Sequence, residues 1–166
     1  LLVLVAIYPF AKRFTWWPQI FLGLAFNWGV MLAYAAHMGR VDVAPVVAWL
    51  GAIAWTIFYD TIYAHQDAED DAMIGVKSTA RLFGDASPRI LAGFAILAVA
   101  VLAVATALPG RNLLIAWAGL AGFAAHLAWQ LKKFEPDQGD VCLRLFRSNR
   151  DAGLILALFL AVAGLA

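Results

Sequence analysis

Four apolar runs, Pro18–Met38, Val43–Ala64, Ile90–Leu108 and Leu113–Leu131, are each close to the length needed to cross a lipid bilayer. A hydrocarbon core of about 30 Å takes about 20 residues of helix. A shorter run, Ala152–Ala166, nearly spans, and Leu1–Phe10 reads as the end of a further helix. The expected fold is therefore an all-α, polytopic transmembrane helix bundle of one partial helix and five spans, forming a single domain over residues 1–166. Composition agrees: 64% of the residues are hydrophobic and 14% charged, against roughly 45–50% and about 25% in soluble domains. The chain opens at Leu1, inside an apolar run with neither an initiator Met nor a charged flank. This start predicts the C-terminal part of a longer protein.

Tight connections at Gly39–Asp42 and Pro109–Asn112 join antiparallel neighbours. Alternation then puts the longer segments Ala11–Trp17, His65–Arg89 and Lys132–Asp151 on one face, and these hold ten of the twelve Lys and Arg residues. The positive-inside rule assigns that face to the cytoplasm. The single cysteine, Cys142, falls in the last of these segments; it excludes an internal disulfide framework and any multi-cysteine metal site. No basic run exceeds two residues, so no nucleic-acid partner is expected.

The chemistry concentrates just after the second full span. Asp67, Glu69, Asp70 and Asp71 place four carboxylates within five positions, and Asp60 is the one charge in the preceding apolar run. A charge at the bilayer centre costs about 2.5–3.5 kcal/mol on the insertion scale, so carboxylates at a helix mouth suggest a site. Crowded carboxylates repel unless water or a cation intervenes, and hard cations prefer oxygen ligands. The pattern reads as a magnesium–diphosphate site, with a solvated acidic loop as the plain alternative. A helix continuous over Val43–Asp71 would set Asp60, Asp67 and Asp71 within about 40° of one another, with Glu69 pointing away. Gly75 and the polar residues near it place the helix end thereabouts; Asp67 and Asp71 fall one turn apart either way.

Tyr8 and Lys12 are i,i+4 neighbours where the first helix leaves the membrane, and Pro9 between them is expected to kink it. Lys12 and Arg13 could reach phosphate oxygens, as could Lys77 and Arg81, although topology alone also calls for cations there. Asn27, inside a span, suits either a polar substrate or an interhelical hydrogen bond. His126 reads as a packing residue, and His65 lacks a second ligand at metal-binding spacing.

Together, Tyr8-x-x-x-Lys12, Asp67-x-x-x-Asp71 and Gly75-x-Lys77-Ser78-Thr79 resemble the UbiA superfamily of intramembrane aromatic prenyltransferases. The stretches Tyr8–Gln19, Phe26–Gly29, Tyr59–Ala80 and Phe146–Gly153 resemble its 4-hydroxybenzoate branch. The resemblance implies the end of helix four through helix nine of a nine-helix fold. It implies transfer of a polyprenyl group from polyprenyl diphosphate to 4-hydroxybenzoate in ubiquinone biosynthesis, with Mg²⁺ as cofactor, in a bacterial inner membrane. By the same resemblance Asp67 and Asp71 hold the metal. Tyr8, Lys12, Arg13, Asn27, Asp60 and Lys77 contact substrate, and Lys12 shares the catalytic work with the two aspartates. Phe26, Trp28, Phe58 and Tyr59 are candidates, by position, to face an allylic cation. The family's first aspartate motif is not among these residues and is expected upstream, so the 166 residues alone are expected to be inactive. Other branches, acting on homogentisate, naphthoate or haem, are nearer rivals. A non-enzymatic, cation-binding membrane transporter is the more distant one, disfavoured by the Lys-Ser-Thr and Tyr-x-x-x-Lys segments.

Overall fold

A computed structural model of the chain describes residues 2–109 and 112–165, apart from the side chains of residues 2, 4, 8 and 9. Every regular element among the described residues is helical: α1 (Leu2–Phe14), α2 (Pro18–Phe26), α3 (Gly29–Met38), α4 (Val43–Ala64), α5 (Ala68–Met73), α6 (Thr79–Phe83), a 3₁₀ turn (Gly84–Ala86), α7 (Ser87–Ala107), α8 (Leu113–Lys133) and α9 (Gly139–Leu165). Five stretches are long and apolar enough to cross a membrane: Pro18–Met38, Val43–Ala64, Thr79–Ala107, Leu113–Lys133 and Gly139–Leu165. The chain is an integral membrane protein. The expected bundle, and the bounds of α4, agree with the sequence reading. The kink expected at Pro9 falls on a residue whose side chain lies outside the described ones.

Four expectations need correction. The span Pro18–Met38 is not one smooth helix but two, broken at Asn27-Trp28. There the Asn27 side chain donates to the Gly23 carbonyl at 2.9 Å, the same acceptor its own backbone N–H uses at 3.1 Å. Asn competes with the helix ladder in this way, and the chain takes a turn before resuming. Second, the continuous helix that would have set Asp60, Asp67 and Asp71 on one stripe does not form. Helix α4 ends at Ala64, and His65-Gln66-Asp67 form a turn that leads into α5. Third, most of Lys132–Asp151 is not a loop. Helix α8 continues to Lys133, five residues connect, and α9 begins at Gly139, so Arg144, Arg147 and Arg150 ride on helix. Fourth, Cys142 lies not in a connecting segment but inside α9, where it is buried with its thiol donating to the Glu135 carbonyl at 3.4 Å.

Helix α4 is the hub. It packs against α2, α3, α7 and α9, while α8 is wedged between α7 and α9. Phe58 and Ile62 of α4 meet Leu91 of α7, Phe123 and Leu127 of α8 and Ala152 of α9 in a solvent-free core. Water does not drive association between helices in lipid, so close backbone approach at small residues and a few polar clamps must do so. Both are present. Asn149 of α9 accepts from the Trp55 indole at 2.9 Å, and its amide pairs with Gln130 of α8 at 3.2 Å in both directions, joining three helices. Gly39, with φ +70°, closes α3 in the left-handed region. Just beyond it Asp42 accepts from the Tyr34 hydroxyl at 2.7 Å and from Arg40 at 3.1 Å.

The long connections meet on one face, as alternation requires. The His65 ring touches Phe134 edge-on, its centroid 5.1 Å away, and hydrogen-bonds to Ser87 at 3.0 Å. Burial pushes the His65 pKa below its ordinary value. On the opposite face Asp42, Val43, Leu108, Pro109 and Gly164 line a common depression.

The α8–α9 contact depends on glycine. A Cβ at Gly119 would overlap Phe159, lying 2.9 Å from its Cγ, and one at Gly122 would lie 2.9 Å from Ile155 Cγ2. Gly119→Ala should therefore separate the two helices and cost about 1–3 kcal/mol, the usual range for overpacking. Gly93→Ala, whose Cβ meets nothing within 4 Å, should be neutral. Thermal unfolding of the detergent-solubilised protein distinguishes the two.

Candidate active site

Five segments build the acidic mouth: the end of α1, the last turn of α4, the 65–67 turn, α5 and the strap 74–78 that leads into α6. Their arrangement follows from the way α5 stops. The Val76 N–H reaches back to the Asp71 carbonyl at 3.0 Å, and the Gly75 N–H to Ala72 at 3.3 Å. This is a Schellman closure, in which the residue after the helix adopts a left-handed conformation suited to glycine. Gly75 has φ +76°. The reversal turns the strap towards α1, where the Lys77 N–H donates to the Lys12 carbonyl at 2.8 Å and the Lys77 ammonium to the Phe14 carbonyl at 3.4 Å. Both bonds satisfy carbonyls of the last turn of α1, which have no partner within the helix.

With α1 fixed in this way, the Lys12 ammonium donates to both oxygens of Asp71, at 3.1 and 2.9 Å. Asp71 is only 5% exposed. Asp67 immediately precedes α5, and its carbonyl accepts the Asp71 N–H at 2.8 Å, which holds the two aspartates one turn apart. The Lys12 charge also acts on Asp60, one turn below the end of α4. Lys12 therefore pairs with one of the three acidic positions that a continuous helix would have set on one stripe, Asp71. It does so across helices rather than along a continuous one.

The other expected residues divide. Lys77 is half committed to the end of α1, with its ammonium 5.9 Å from the centre of the Trp16 ring. Arg13 points outward over the Phe10 ring at 5.7 Å. Asn27 donates to Thr56 of α4 at 2.8 Å, so its amide serves an interhelical bond, and the residue also lines a cavity. The Tyr8 side chain lies outside the described residues. Phe58 is fully buried in the core, so it cannot face a reacting cation as expected, whereas Tyr59, one position on, lines the cavity. Phe26 lines the same cavity at its edge, and Trp28 packs edge-on against Trp49.

Lys77-Ser78-Thr79 has the pattern expected at a diphosphate, but Ser78 and Thr79 are completely buried. Ser78 caps α6 by accepting from the Arg81 N–H at 3.4 Å, and the Thr79 hydroxyl pairs with Thr61 of α4 at 2.6 Å. Arg81 was the residue undervalued. Its guanidinium donates to the Asp71 carbonyl at 3.2 Å and to the Val76 carbonyl, and lies 5.5 Å from the centre of the Trp16 ring. The signal in the sequence was the three-residue spacing from Ser78, that of an N-cap and the residue whose backbone N–H it accepts.

No group of three or more His, Cys, Asp or Glu side chains is gathered for a metal among the described residues. The donor set nevertheless suits Mg²⁺, which keeps several waters and is commonly held by one or two carboxylates together with substrate phosphate. Asp71 gives up two of its roughly four lone-pair sites to Lys12 and retains the rest. Removing Lys12 would strand a buried carboxylate. Lys12→Met alone should cost about 3 kcal/mol or more, and Lys12→Met combined with Asp71→Asn distinctly less than the two single changes together. Thermal unfolding of the four proteins in a double-mutant cycle measures that coupling.

Residues 1–162 match the model of the UbiA prenyltransferase family. The chain is 42% identical over 165 residues to a rat protein described as "4-hydroxybenzoate polyprenyltransferase, mitochondrial", covering 99% of this chain and 44% of the relative. Proteins with the same description from Dictyostelium discoideum and Homo sapiens are 43% identical over 167 residues and 38% over 165. In both cases 99% of this chain is covered, against 35% and 44% of the relative. The chain thus spans less than half the length of these curated relatives. No solved structure matches it. With a family match across nearly its whole length, and with the Tyr-x-x-x-Lys helix end and aspartate pair set at one membrane mouth, this chain belongs to the UbiA prenyltransferase family.

Proposed function

We propose that this chain forms part of a membrane-embedded prenyltransferase that moves a polyprenyl group from its diphosphate to 4-hydroxybenzoate, a step of ubiquinone synthesis. The observation that carries this reading is the pairing of Lys12 with the buried Asp71 beside Asp67, at the mouth of an apolar bundle. A diphosphate needs cations and metal-holding carboxylates together, at a point where its lipid tail can remain in the membrane. The relatives' descriptions support the acceptor.

In this reaction the C–O bond between prenyl carbon and diphosphate breaks, a C–C bond forms to the ring carbon ortho to the phenol, and the ring loses a proton. Asp67 and Asp71 are the residues that would hold Mg²⁺, and the ion would supply charge neutralisation for a diphosphate leaving group. Lys12 and Lys77 donate to the phosphate oxygens. Lys12 is placed for this because its side chain is partly exposed at the mouth while its ammonium holds the Asp71 carboxylate. Arg81 serves by position, holding the α5 terminus and the strap so that the two aspartates and two lysines keep their spacing. The apolar walls below exclude water from the allylic cation, and aromatic faces favour positive charge.

The mouth faces the cytoplasm of a bacterial inner membrane in this reading, because ten of the twelve Lys and Arg residues lie on its side. Asp67→Ala or Asp71→Ala in the full-length protein should lower turnover by roughly 100-fold or more, the scale for losing a group that stabilises developing charge. Exposed Glu69, changed to Gln, should alter it little. Chelation of Mg²⁺ should abolish product in the wild type. The assay follows radiolabelled 4-hydroxybenzoate into lipid-extractable product, and equal losses at Glu69 and Asp71 would contradict the assignment. For orientation, Asp70→Cys should react with an impermeant thiol reagent in inside-out vesicles and not in right-side-out ones.

A further inference from the structure

Lipid covers the outward apolar surface of any membrane bundle, so the informative places are those where helix packing leaves a gap. One such gap is a groove of about 350 Å³ between α7 and α8. Five of its nine lining residues are alanines, among them Ala92 and Ala100 of α7 and Ala124 and Ala128 of α8, and none is aromatic. The α8–α9 contact is closed by contrast, because Phe159 and Ile155 sit over Gly119 and Gly122. Between α7 and α8 no comparable side chain fills the space. Atoms that border an unfilled gap forgo their dispersion contacts. The groove also opens outward: Ile96 on its wall is 70% exposed, and Ala100 and Ala128 are exposed as well.

Helix α7 begins and α8 ends on the face of the acidic mouth, and there each wall of the groove carries a cation. Arg89 is the third residue of α7; at the helical repeat it lies within about 60° of Ala92 and Ile96. On the other wall Lys132 follows Leu131 and stands one turn beyond Ala128. Both cations are exposed, and neither has a hydrogen bond or ion pair among the described residues. Asp85 and Glu135, the carboxylates nearest to them in sequence, form no ion pair with them. Gly93, one turn past Arg89, has nothing within 4 Å of a Cβ position, so the rim beside the arginine is open. Topology alone calls for cations on this face, but not for one on each wall of a single apolar groove. A pair of cations at the membrane edge, with an apolar slot running from it about 12 Å along α7, complements an acidic headgroup joined to a hydrocarbon chain.

We propose that the α7–α8 groove is a binding site for an anionic phospholipid: one acyl chain lies in the groove against the alanines, and Arg89 and Lys132 hold the headgroup. The guanidinium meets phosphate oxygens through paired N–H groups and the ammonium acts as a point charge. The long stems of both side chains can follow the apolar wall while their charges stay at the polar edge. Two cations select net negative charge rather than phosphate alone, because a zwitterionic headgroup carries a cation of its own. The lipid supplies the packing that α7 and α8 do not make with each other. None of the residues of the aspartate mouth lines this groove, and the site is independent of the prenyl-transfer reading.

The test uses full-length protein, delipidated in detergent, with dioleoyl-phosphatidylglycerol and dioleoyl-phosphatidylcholine as probes that share their chains and differ in charge. Native mass spectrometry reads the bound lipid, and thermal unfolding reads its effect. The wild type should bind phosphatidylglycerol about 10- to 30-fold more tightly than phosphatidylcholine, the scale for two basic residues at an anionic surface. It should also melt at a higher temperature with the anionic lipid, since a ligand of the folded state stabilises it. Arg89→Gln combined with Lys132→Gln, both at exposed positions, should lose the preference and melt alike in either lipid. Ala100→Leu combined with Ala128→Leu, which fills the groove, should weaken both lipids together. An undiminished preference in the double Gln variant would overturn the proposal, as would unaltered lipid binding by a folded protein with the groove filled. The other occupants of such a face give distinct results, each of which would also overturn it. A filled groove that dissociates a dimer marks a contact between copies, and one that prevents assembly of the full-length chain marks a seat for another of its own helices.

Discussion

A carboxylate buried at the edge of a membrane needs a cation, and the rest of this mouth is arranged around that need. Asp71 is almost without solvent contact, and Lys12 approaches it from another helix, 59 positions away in sequence. For the two to meet, α1 must end where α5 begins. That requires the sharp stop of α5 at Gly75 and the strap that bonds back to the last turn of α1. Breaking the pair strands a charge in a poorly solvated place, which costs far more than the pair contributes as an attraction. Its role is therefore to fix geometry, and what it fixes is the spacing between carboxylates and cations that a diphosphate ester would use.

The strap illustrates how one short segment serves structure and chemistry at once. Ser78 and Thr79 turn inward, to cap α6 and to bond α4, whereas Lys77 remains at the rim with its backbone pinned. Arg81 ties the α5 terminus to the strap from outside and rests against Trp16. These residues make the position of Lys77 insensitive to motion of its own long side chain. A pre-positioned cation loses less freedom when a phosphate arrives than one on a free loop.

Beneath the mouth the bundle changes character. Small residues of α8 let side chains of α9 pack directly onto its backbone, and the Trp55–Asn149–Gln130 clamp joins α4, α8 and α9. The clamp leaves the cavity wall stiff and chemically quiet. The break between α2 and α3 contributes as well, since only the interrupted helix brings Asn27 to bear on both Thr56 and the cavity.

Much of this was legible in the sequence. Run lengths near 20 residues announced the spans, and the bounds of α4 came out as written because Asp42 and the polar turn at His65 mark its ends chemically. The one-turn spacing of Asp67 and Asp71, and the grouping of three cationic connections on one face, likewise follow from local pattern and topology. Other features did not. Helix α9 starts thirteen residues before its apolar stretch, because a helix end is set by its tertiary contacts as well as by hydropathy. Nothing in the one-dimensional pattern distinguishes Phe58, sealed in the core, from Tyr59 in the cavity wall. Nor does it pair Lys12 with Asp71 or commit Ser78 and Thr79 to the interior. Sequence determined which residue types reach the membrane mouth, since hydrophobicity and charge act locally. Which of them touch depends on packing between helices distant in sequence, and only the tertiary structure decided that.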